Sequence, residues 1–313
     1  MIKKVSRLII IPVLVIITVA IIIIIEYIKK DYIEIFRKSK GSIVDVKEKL
    51  ILVDDTATLS ELYLKDDKNR EYQYYIRKPL VNSNEVIPGL ILLGGMVTGK
   101  DVIKLVAEIK EIDRVILASM EYPYRGKKKF KNGLELLIHY PEIKAALFNT
   151  IPGIMYIIDY LYRDSKLDRE KLYLVGASFG AFFTIIAGAV DERIRAVISC
   201  YGGGNIGYLM SYNLNYKPEI INKLLGGFGA LLIAPFEPLK YVNKISPRPF
   251  LMINGKSDEQ IPLKSVMELY EKAGEPKEII WLETKHLRPT RNKLTLELTY
   301  VVANWMKKNG LIN

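Results

Sequence analysis

The stretch from Lys171 to Gly188 constrains the fold more than any other part of the chain. It opens with the apolar run Leu172–Val175, typical of a buried strand, and closes with residues 181–187, which suit a buried helix. Between them, residues 176–180 read Gly-Ala-Ser-Phe-Gly, a G-x-S-x-G element. In so sharp a strand-to-helix turn the serine is strained and its hydroxyl stands above the sheet edge, while the glycines permit close packing. The pattern predicts that Ser178 is a nucleophile.

A serine hydroxyl is a weak nucleophile unless a base takes its proton and a third group orients that base. The chain has two histidines, His139 and His286. In a sheet of this kind the order along the chain is serine, acid, histidine, which excludes His139 because it precedes Ser178. His286 follows the last predicted strand, Glu278–Leu282, in a loop that could reach over the serine. We therefore predict that His286 is the base.

The orienting acid is expected between the serine and the histidine. Asp258 follows the penultimate predicted strand, residues 249–254, at its carboxyl end. A buried carboxylate there would fix the imidazole tautomer and stabilise the imidazolium. Glu259 and Asp191 are the alternatives, but Glu259 is expected to point the other way and Asp191 lies in a polar turn. We predict Asp258 as the acid.

An oxyanion formed on a substrate carbonyl needs two N–H donors. One is expected from Phe179, the residue after the nucleophile, at the start of a helix whose dipole favours negative charge. The second is expected from the loop after the strand Leu90–Leu93, where two glycines let the backbone approach. We predict Met96 as this donor, with Gly95 as the alternative.

These ordered motifs resemble the α/β-hydrolase superfamily, and within it the dienelactone-hydrolase-like and prolyl-oligopeptidase-like serine esterases. The resemblance covers roughly residues 59–308 and implies Ser178 as nucleophile, Asp258 as acid and His286 as base. We predict neither a cofactor nor a metal site. Two departures are the absence of a histidine before the Gly94-Gly95 pair and a lysine, Lys285, before the histidine. The motifs that carry the resemblance are Gly94-Gly95, residues 176–180, residues 247–249, residues 255–258, Ile261-Pro262 and His286.

Hydrophobic periodicity predicts the fold class that this family has. Two alternating runs, residues 59–64 and 72–77, flank a turn cluster and predict an antiparallel hairpin. Apolar strands then alternate with helices, which predicts a mostly parallel α/β sheet with helices on both faces. Predicted helices include residues 101–112 and a long one, 141–163. An insertion over about residues 201–248 is interpreted either as an apolar cap over the site or as ordinary helical packing.

The chain begins with a basic tail followed by Leu8–Ile25, a span without charge that is just long enough to cross a bilayer as a helix. No small-residue cleavage site follows, which favours an uncleaved anchor over a signal peptide. The predicted organisation is a transmembrane anchor over residues 1–30, a juxtamembrane stalk over 31–55 and a hydrolase domain over 56–313. Lysines on both sides leave the orientation open; a large following domain favours an extracytoplasmic body of a single-pass membrane protein.

Composition excludes several other classes. The formal net charge of +11 comes from scattered residues without a recognition motif, which argues against nucleic-acid binding and leaves a solvated surface or attraction to anionic lipid. The single cysteine, Cys200, excludes an internal disulfide and a cysteine-based metal cluster.

The loop Gly94–Asp101 fits the pattern G-x-x-x-x-G-K of a phosphate-binding loop but ends in aspartate where a hydroxyl should hold magnesium. Nucleotide binding is therefore a poor alternative. The favoured function is membrane-anchored hydrolysis of a small-molecule carboxylic ester. A serine peptidase, an acyltransferase and a non-catalytic membrane-tethered binding protein use the same fold and remain alternatives.

Overall fold

In the part of the chain that the structure describes, a nine-stranded mixed sheet forms the centre of the protein. The structure, a computed structural model, describes residues 18–312 except 83, 108, 128 and 289–291. The strands are β1 (Ile43–Val53), β2 (Ala57–Asp66), β3 (Glu71–Pro79), β4 (Ile87–Leu93), β5 (Ile116–Met120), β6 (Leu167–Ala177), β7 (Ala196–Cys200), β8 (Phe250–Gly255) and β9 (Lys277–Leu282). Their spatial order is β1-β2-β3-β5-β4-β6-β7-β8-β9.

Strand direction divides the sheet into two parts. The pairs β1–β2, β2–β3 and β3–β5 are antiparallel, while every pair from β5 across to β9 is parallel. Parallel neighbours require crossover connections, and helices supply them. The predicted hairpin and the predicted mostly parallel α/β sheet with antiparallel first strands are therefore confirmed.

Helices cover both faces of the sheet. They are α1 (residues 18–29 of the described chain), α2 (Ile33–Ser39), α3 (Val102–Val106), α4 (Gly133–Leu161), α5 (Phe179–Val190), α6 (Ile206–Asn213), α7 (Ile220–Leu232), α8 (Leu263–Lys272) and α9 (Asn292–Lys308). One buried cluster joins the sheet to α2, α4, α5 and α8. A second joins the opposite face to α3 and α9. Strands buried on both faces explain the continuous apolar runs in the sequence.

The predicted helix over residues 101–112 is wrong in length. Only α3 is α-helical there, and single 3₁₀ turns flank it at Gly99–Asp101 and Lys110–Ile112. Its buried side chains follow a spacing of three rather than alternating three and four. That spacing suits the three residues per turn of a 3₁₀-helix. The buried set is Ile103, Val106, Ile109 and Ile112.

Residues 31–55, which we interpreted as a stalk outside the domain, contribute to the domain itself. Helix α2 buries Ile33 and Phe36, and the Phe36 ring lies 5.5 Å from the Phe148 ring of α4. The rest of the segment forms β1, the edge strand. Irregularities in the β1–β2 register break the alternation of side chains, so its sequence does not show a strand period.

The N-terminal prediction lies partly beyond the described chain. Residues 8–17 of the predicted span are outside the described residues, while residues 18–25 are helical and exposed. Within the part of the chain that the structure describes, no helix has both the length and the apolar character needed to span a bilayer.

The insertion over residues 201–248 has two parts. Its second part, three short 3₁₀ turns over residues 234–244, packs into the core, where Phe236 contacts Phe36, Phe148 and Phe183. Its first part is the pair α6 and α7. Ordinary packing therefore describes the second part, whereas α6 and α7 pack mainly against each other.

Candidate active site

The turn between β6 and α5 holds Ser178 in a conformation that L-residues rarely adopt. Its φ is 54° and its ψ is −115°, and it is the residue immediately before α5. The Ser178 N–H donates to the carbonyl of Cys200, 2.8 Å away at the end of β7. A backbone in this region costs of order 1–3 kcal/mol and persists only when its surroundings fix it. The predicted sharp turn is thus observed.

Two glycines allow this turn because there is no room for a Cβ. A Cβ at Gly176 would lie 2.0 Å from Thr184 Oγ1 and 2.4 Å from the Gly180 carbonyl oxygen. A Cβ at Gly180 would lie 2.1 Å from the Leu93 carbonyl oxygen. The first turn of α5 therefore lies against the end of β4 as well as β6. This close approach places the loop after β4 beside the serine.

The structure brings the three residues of the predicted catalytic set together. Ser178 Oγ lies 2.9 Å from His286 Nε2, and His286 Nδ1 lies 2.8 Å from Asp258 Oδ2. A carboxylate only accepts, so the ring proton belongs on Nδ1, which leaves Nε2 free to accept the serine proton. The side chains of His286 and Asp258 are 3% and 1% exposed, so water competes little for these bonds.

Parallel neighbouring strands explain how residues 108 positions apart meet. Ser178 follows β6, Asp258 follows β8 and His286 follows β9, and these strands lie side by side with β7 in the same sheet. Their carboxyl ends share one edge, so their loops converge. We call this edge, at the carboxyl ends of β4 to β9, the Ser178 edge.

Asp258 is fixed by backbone donors as well as by the histidine. Its Oδ1 accepts from the N–H groups of Gln260 at 2.8 Å and Ile261 at 2.9 Å, while Oδ2 faces the imidazole. One oxygen therefore binds the backbone and the other binds the histidine, so the carboxylate has little freedom to rotate.

Glu259, which we considered only as an alternative acid, holds the histidine loop by its backbone. Its Oε2 accepts the His286 N–H at 3.1 Å, and its Oε1 accepts from Arg288 Nη2 at 2.6 Å. Bonds from its own N–H and from the His286 N–H, with the Arg288 charge, lower the pKa of Glu259 to about 2. The carboxylate therefore remains ionised through the neutral range. The sequence offered no signal for this role beyond adjacency to Asp258.

Two tyrosines that the sequence did not single out support the site. The Tyr122 ring packs 5.0 Å from the Phe179 ring, and its hydroxyl donates to the Gly94 carbonyl, linking the loops after β4 and β5. The Tyr201 ring stands edge-on to His286 at 5.8 Å, and its hydroxyl bonds Thr284 Oγ1 at 2.7 Å. Burial raises the pKa of both phenols, so they act as neutral groups.

The predicted oxyanion donors lie in two segments that meet at this turn. Phe179 is the first residue of α5, where N–H groups have no partner within the helix. Gly95 and Met96 follow β4, and the Gly95 carbonyl accepts from the N–H groups of Thr98 and Gly99 at 3.0 Å, which closes the loop into a turn. Their role as donors remains a prediction.

The same loop is poorly suited to phosphate. Residues 99–101 form a 3₁₀ turn, and Lys100 Nζ is ion-paired with Glu61 and lies 4.2 Å from the centre of the Tyr75 ring. A phosphate-binding lysine must reach the ligand, whereas this one is engaged with the β2–β3 hairpin. The structure therefore gives a second argument against nucleotide binding by this loop.

The other candidate groups lie elsewhere or are unreactive. Asp191 follows the last residue of α5, about 18 Å of helix away from Ser178, and accepts a hydrogen bond from Arg193 Nε at 2.9 Å. Burial raises the pKa of the Cys200 thiol to about 12, so it is not a nucleophile. His139 lies on α4, where its ring packs 5.6 Å from that of Phe130. Among the described residues, no three His, Cys, Asp or Glu side chains are grouped to hold a metal ion.

Sequence comparison finds partial relatives, and no family model matches the chain. The chain is 33% identical over 125 residues to the uncharacterized protein YfhR of Escherichia coli O157:H7, a match that covers 39% of this chain and 40% of YfhR. It is 26% identical over 119 residues to the hydrolase acrC of Aspergillus aculeatus, covering 38% of this chain and 26% of that protein. The chain thus matches less than half the length of these relatives.

Structural comparison covers more of the chain. The acetyl xylan esterase from Paenibacillus sp. R4 superimposes with a TM-score of 0.66 over 87% of this chain and 92% of the esterase, at 11% identity. At that identity the likeness concerns the fold alone. Together with the strand order and the strained serine turn, it leads to one conclusion: this chain has the α/β-hydrolase fold.

Proposed function

We propose that the protein is a serine hydrolase that cleaves small carboxylic esters through an acyl-enzyme on Ser178. The observation that carries the proposal is the pair of hydrogen bonds that links Ser178 Oγ through His286 to Asp258, at 2.9 and 2.8 Å, beside a strained turn. The esterase and hydrolase names among the relatives support the ester class. The buried, unreactive Cys200 leaves Ser178 as the nucleophile at this edge.

The mechanism follows from the partners of each atom. As Ser178 Oγ attacks the ester carbonyl, His286 Nε2 takes its proton, and Asp258 stabilises the imidazolium that forms. The carbonyl oxygen becomes negative and would be met by the N–H of Phe179 and that of Met96 or Gly95. The tetrahedral intermediate expels the alcohol, which receives the proton from Nε2. Water, deprotonated by the same nitrogen, then attacks the acyl-serine and releases the acid.

We also propose that residues 8–25 anchor the protein in a bilayer as a single pass, with the hydrolase domain outside the cytoplasm. The uncharged span in the sequence supports an anchor of sufficient length. The exposed isoleucines 21–25 of α1 support it further, because a soluble surface would rarely carry such a run. The side is proposed from the size of the domain, since large domains translocate largely regardless of flanking charge.

A fluorophosphonate probe on alkaline-washed membranes tests the nucleophile and the membrane anchor. We expect the full chain to remain in the membrane pellet and to be labelled there, because the probe reacts only with an activated serine. Ser178→Ala is expected to abolish labelling, while the matched control Ser257→Ala in an exposed loop keeps it. Labelling that persists in Ser178→Ala would remove the nucleophile assignment. A labelled protein in the wash would instead remove the anchor and leave the hydrolase intact.

Glu259→Gln is expected to lower kcat about tenfold with little change in KM, because one charged hydrogen bond to the His286 backbone is worth about 1.5 kcal/mol. The loss acts on the position of the base rather than on substrate binding. Steady-state kinetics with a short-chain p-nitrophenyl ester measure it. The matched control is Glu283→Gln, whose exposed carboxylate pairs with Lys256. An unchanged kcat in Glu259→Gln would show that the backbone bond does not position His286.

A further inference from the structure

Two helices next to the Ser178 edge present apolar side chains to solvent in helical register. The first turns of α4 expose Leu134 and Ile138, each 68% exposed, with Leu137 beside them. On α7 the exposed residues Ile220, Leu224 and Phe228 recur every fourth position. We call these six residues the apolar rim. Contiguous apolar patches on a soluble surface mark contact with another body.

The two stripes belong to one region of the molecule. The hydroxyls of Tyr27, which is in α1, and Tyr140, which is in α4, both donate to the carbonyl of Leu232 at the end of α7. Lys144 lies 5.6 and 5.8 Å from the centres of these two rings. The end of α1, the first half of α4 and the end of α7 are therefore joined at a single point. The exposed isoleucines of α1 precede Tyr27 in the same helix.

Cations border the apolar rim. Lys129 and Lys131 precede α4 and are exposed, as is Lys223 on α7. Within the part of the chain that the structure describes, these three have no ion-pair partner, whereas neighbouring Lys127 is paired with Glu135. Apolar side chains edged by uncompensated lysines are the features of a surface that lies on anionic lipid.

The rim also lies on the side of the molecule that holds the proposed active site. Helix α4 begins after the carboxyl end of β5, and the insertion with α7 leaves from the carboxyl end of β7. Both connections therefore start at the edge where Ser178 is placed. A bilayer under the rim would face this edge rather than the opposite one.

We propose that the apolar rim, with Lys129, Lys131 and Lys223, contacts an anionic bilayer surface. The hydrolase domain is then docked on the membrane and is not attached to it through the N-terminal helix alone. This contact is distinct from residues 8–25. It depends on neither the hydrolase activity nor the identity of the substrate. A second copy of the chain could cover the same surface, and the test separates the two.

Single introduced cysteines in the full chain test the docking. Because the only native cysteine, Cys200, is buried, Leu137→Cys or Leu224→Cys can be labelled selectively with bimane. The labelled protein is reconstituted in phosphatidylcholine vesicles with about 30% phosphatidylglycerol and acyl-chain doxyl lipids. We expect at least about twofold quenching at both positions, since quenching requires contact with the acyl region. Lys129→Gln with Lys131→Gln should reduce it.

Val53→Cys is the matched control. Val53 is 57% exposed, but the ladders place it beside the amino ends of the parallel strands, away from the rim. It should remain unquenched in the same vesicles. Quenching at Ile22→Cys without quenching at residues 137 and 224 would show an anchored but undocked body and overturn the proposal. Energy transfer between labelled copies in place of lipid quenching would also overturn it, in favour of a dimer.

Discussion

Replacing His286 by alanine is expected to lower kcat for a short-chain p-nitrophenyl ester by about 10⁴- to 10⁶-fold. The reason lies in the 2.9 Å contact between Nε2 and Ser178 Oγ. Without the imidazole, the serine must lose its proton to water, and the leaving alcohol has no acid beside it. The residual rate would come from the oxyanion donors and substrate binding. Initial rates at saturating ester, with purified full chain in detergent, measure the effect.

The other histidine provides the matched control. His139 lies on α4, with its Nδ1 3.5 Å from the exposed Glu142, and has no contact with the serine. His139→Ala should therefore retain activity within about twofold. A His286→Ala variant that keeps more than about 1% of the wild-type kcat, with unchanged secondary structure, would contradict the assignment of the base.

Asp66→Asn is expected to reduce the free energy of unfolding by about 3 kcal/mol, because removing one partner of a buried pair leaves the other charge uncompensated. Asp66 Oδ2 accepts from Arg70 Nε at 2.6 Å and from the Tyr156 hydroxyl at 2.7 Å. Its side chain is 1% exposed. This network ties the turn of the β2–β3 hairpin to α4. Urea unfolding followed by tryptophan fluorescence measures the change.

The same carboxylate makes stability depend on pH. Burial by itself raises the pKa of Asp66, but the bonds from Arg70 and Tyr156 and the Arg70 charge outweigh burial, so the folded-state pKa is lowered. A lowered pKa stabilises the fold above the unfolded value of about 3.9. The stabilisation is lost as the pH falls through the folded-state pKa. As the pH falls below about 4, the free energy of unfolding should therefore decrease less in Asp66→Asn than in the wild type.

Asp45→Asn is the control for this measurement, because Asp45 is 46% exposed and, among the described residues, pairs only with Lys47, at 3.2 Å. Its effect is expected to stay within about 0.5 kcal/mol. Equal destabilisation in both variants would mean that loss of charge in general, rather than the network of Asp66, sets the stability.

The sequence predicted those parts of the site that follow apolar strands. Ser178, Asp258 and His286 each come directly after such a strand, and parallel strands bring their carboxyl ends to one edge. A mostly parallel sheet and the order serine, acid, histidine along the chain were therefore sufficient to expect the three side chains together. Distances at hydrogen-bond length depend on loop conformations, which no pattern of residue types specifies.

What the sequence did not predict depends on contacts distant along the chain. Helix α2 and strand β1 read as a charged stalk because lysines and glutamates alternate irregularly with apolar residues, and only the pairing with β2 makes an edge strand of them. The sequence predicted that Glu259 points away from the site. Its carboxylate does turn from Asp258, but towards the His286 N–H, because the two loops lie beside each other.

The lack of space around Gly176 and Gly180 limits how such a protein can diversify. Any larger residue at either position would force apart β4, β6 and α5. The conformation of Ser178 and the close packing of these three elements therefore cannot be altered separately. Changes in substrate preference would have to arise in segments outside the close packing of β4, β6 and α5. The α6–α7 pair is such a segment, because many of its side chains are exposed and can be replaced without disturbing the core.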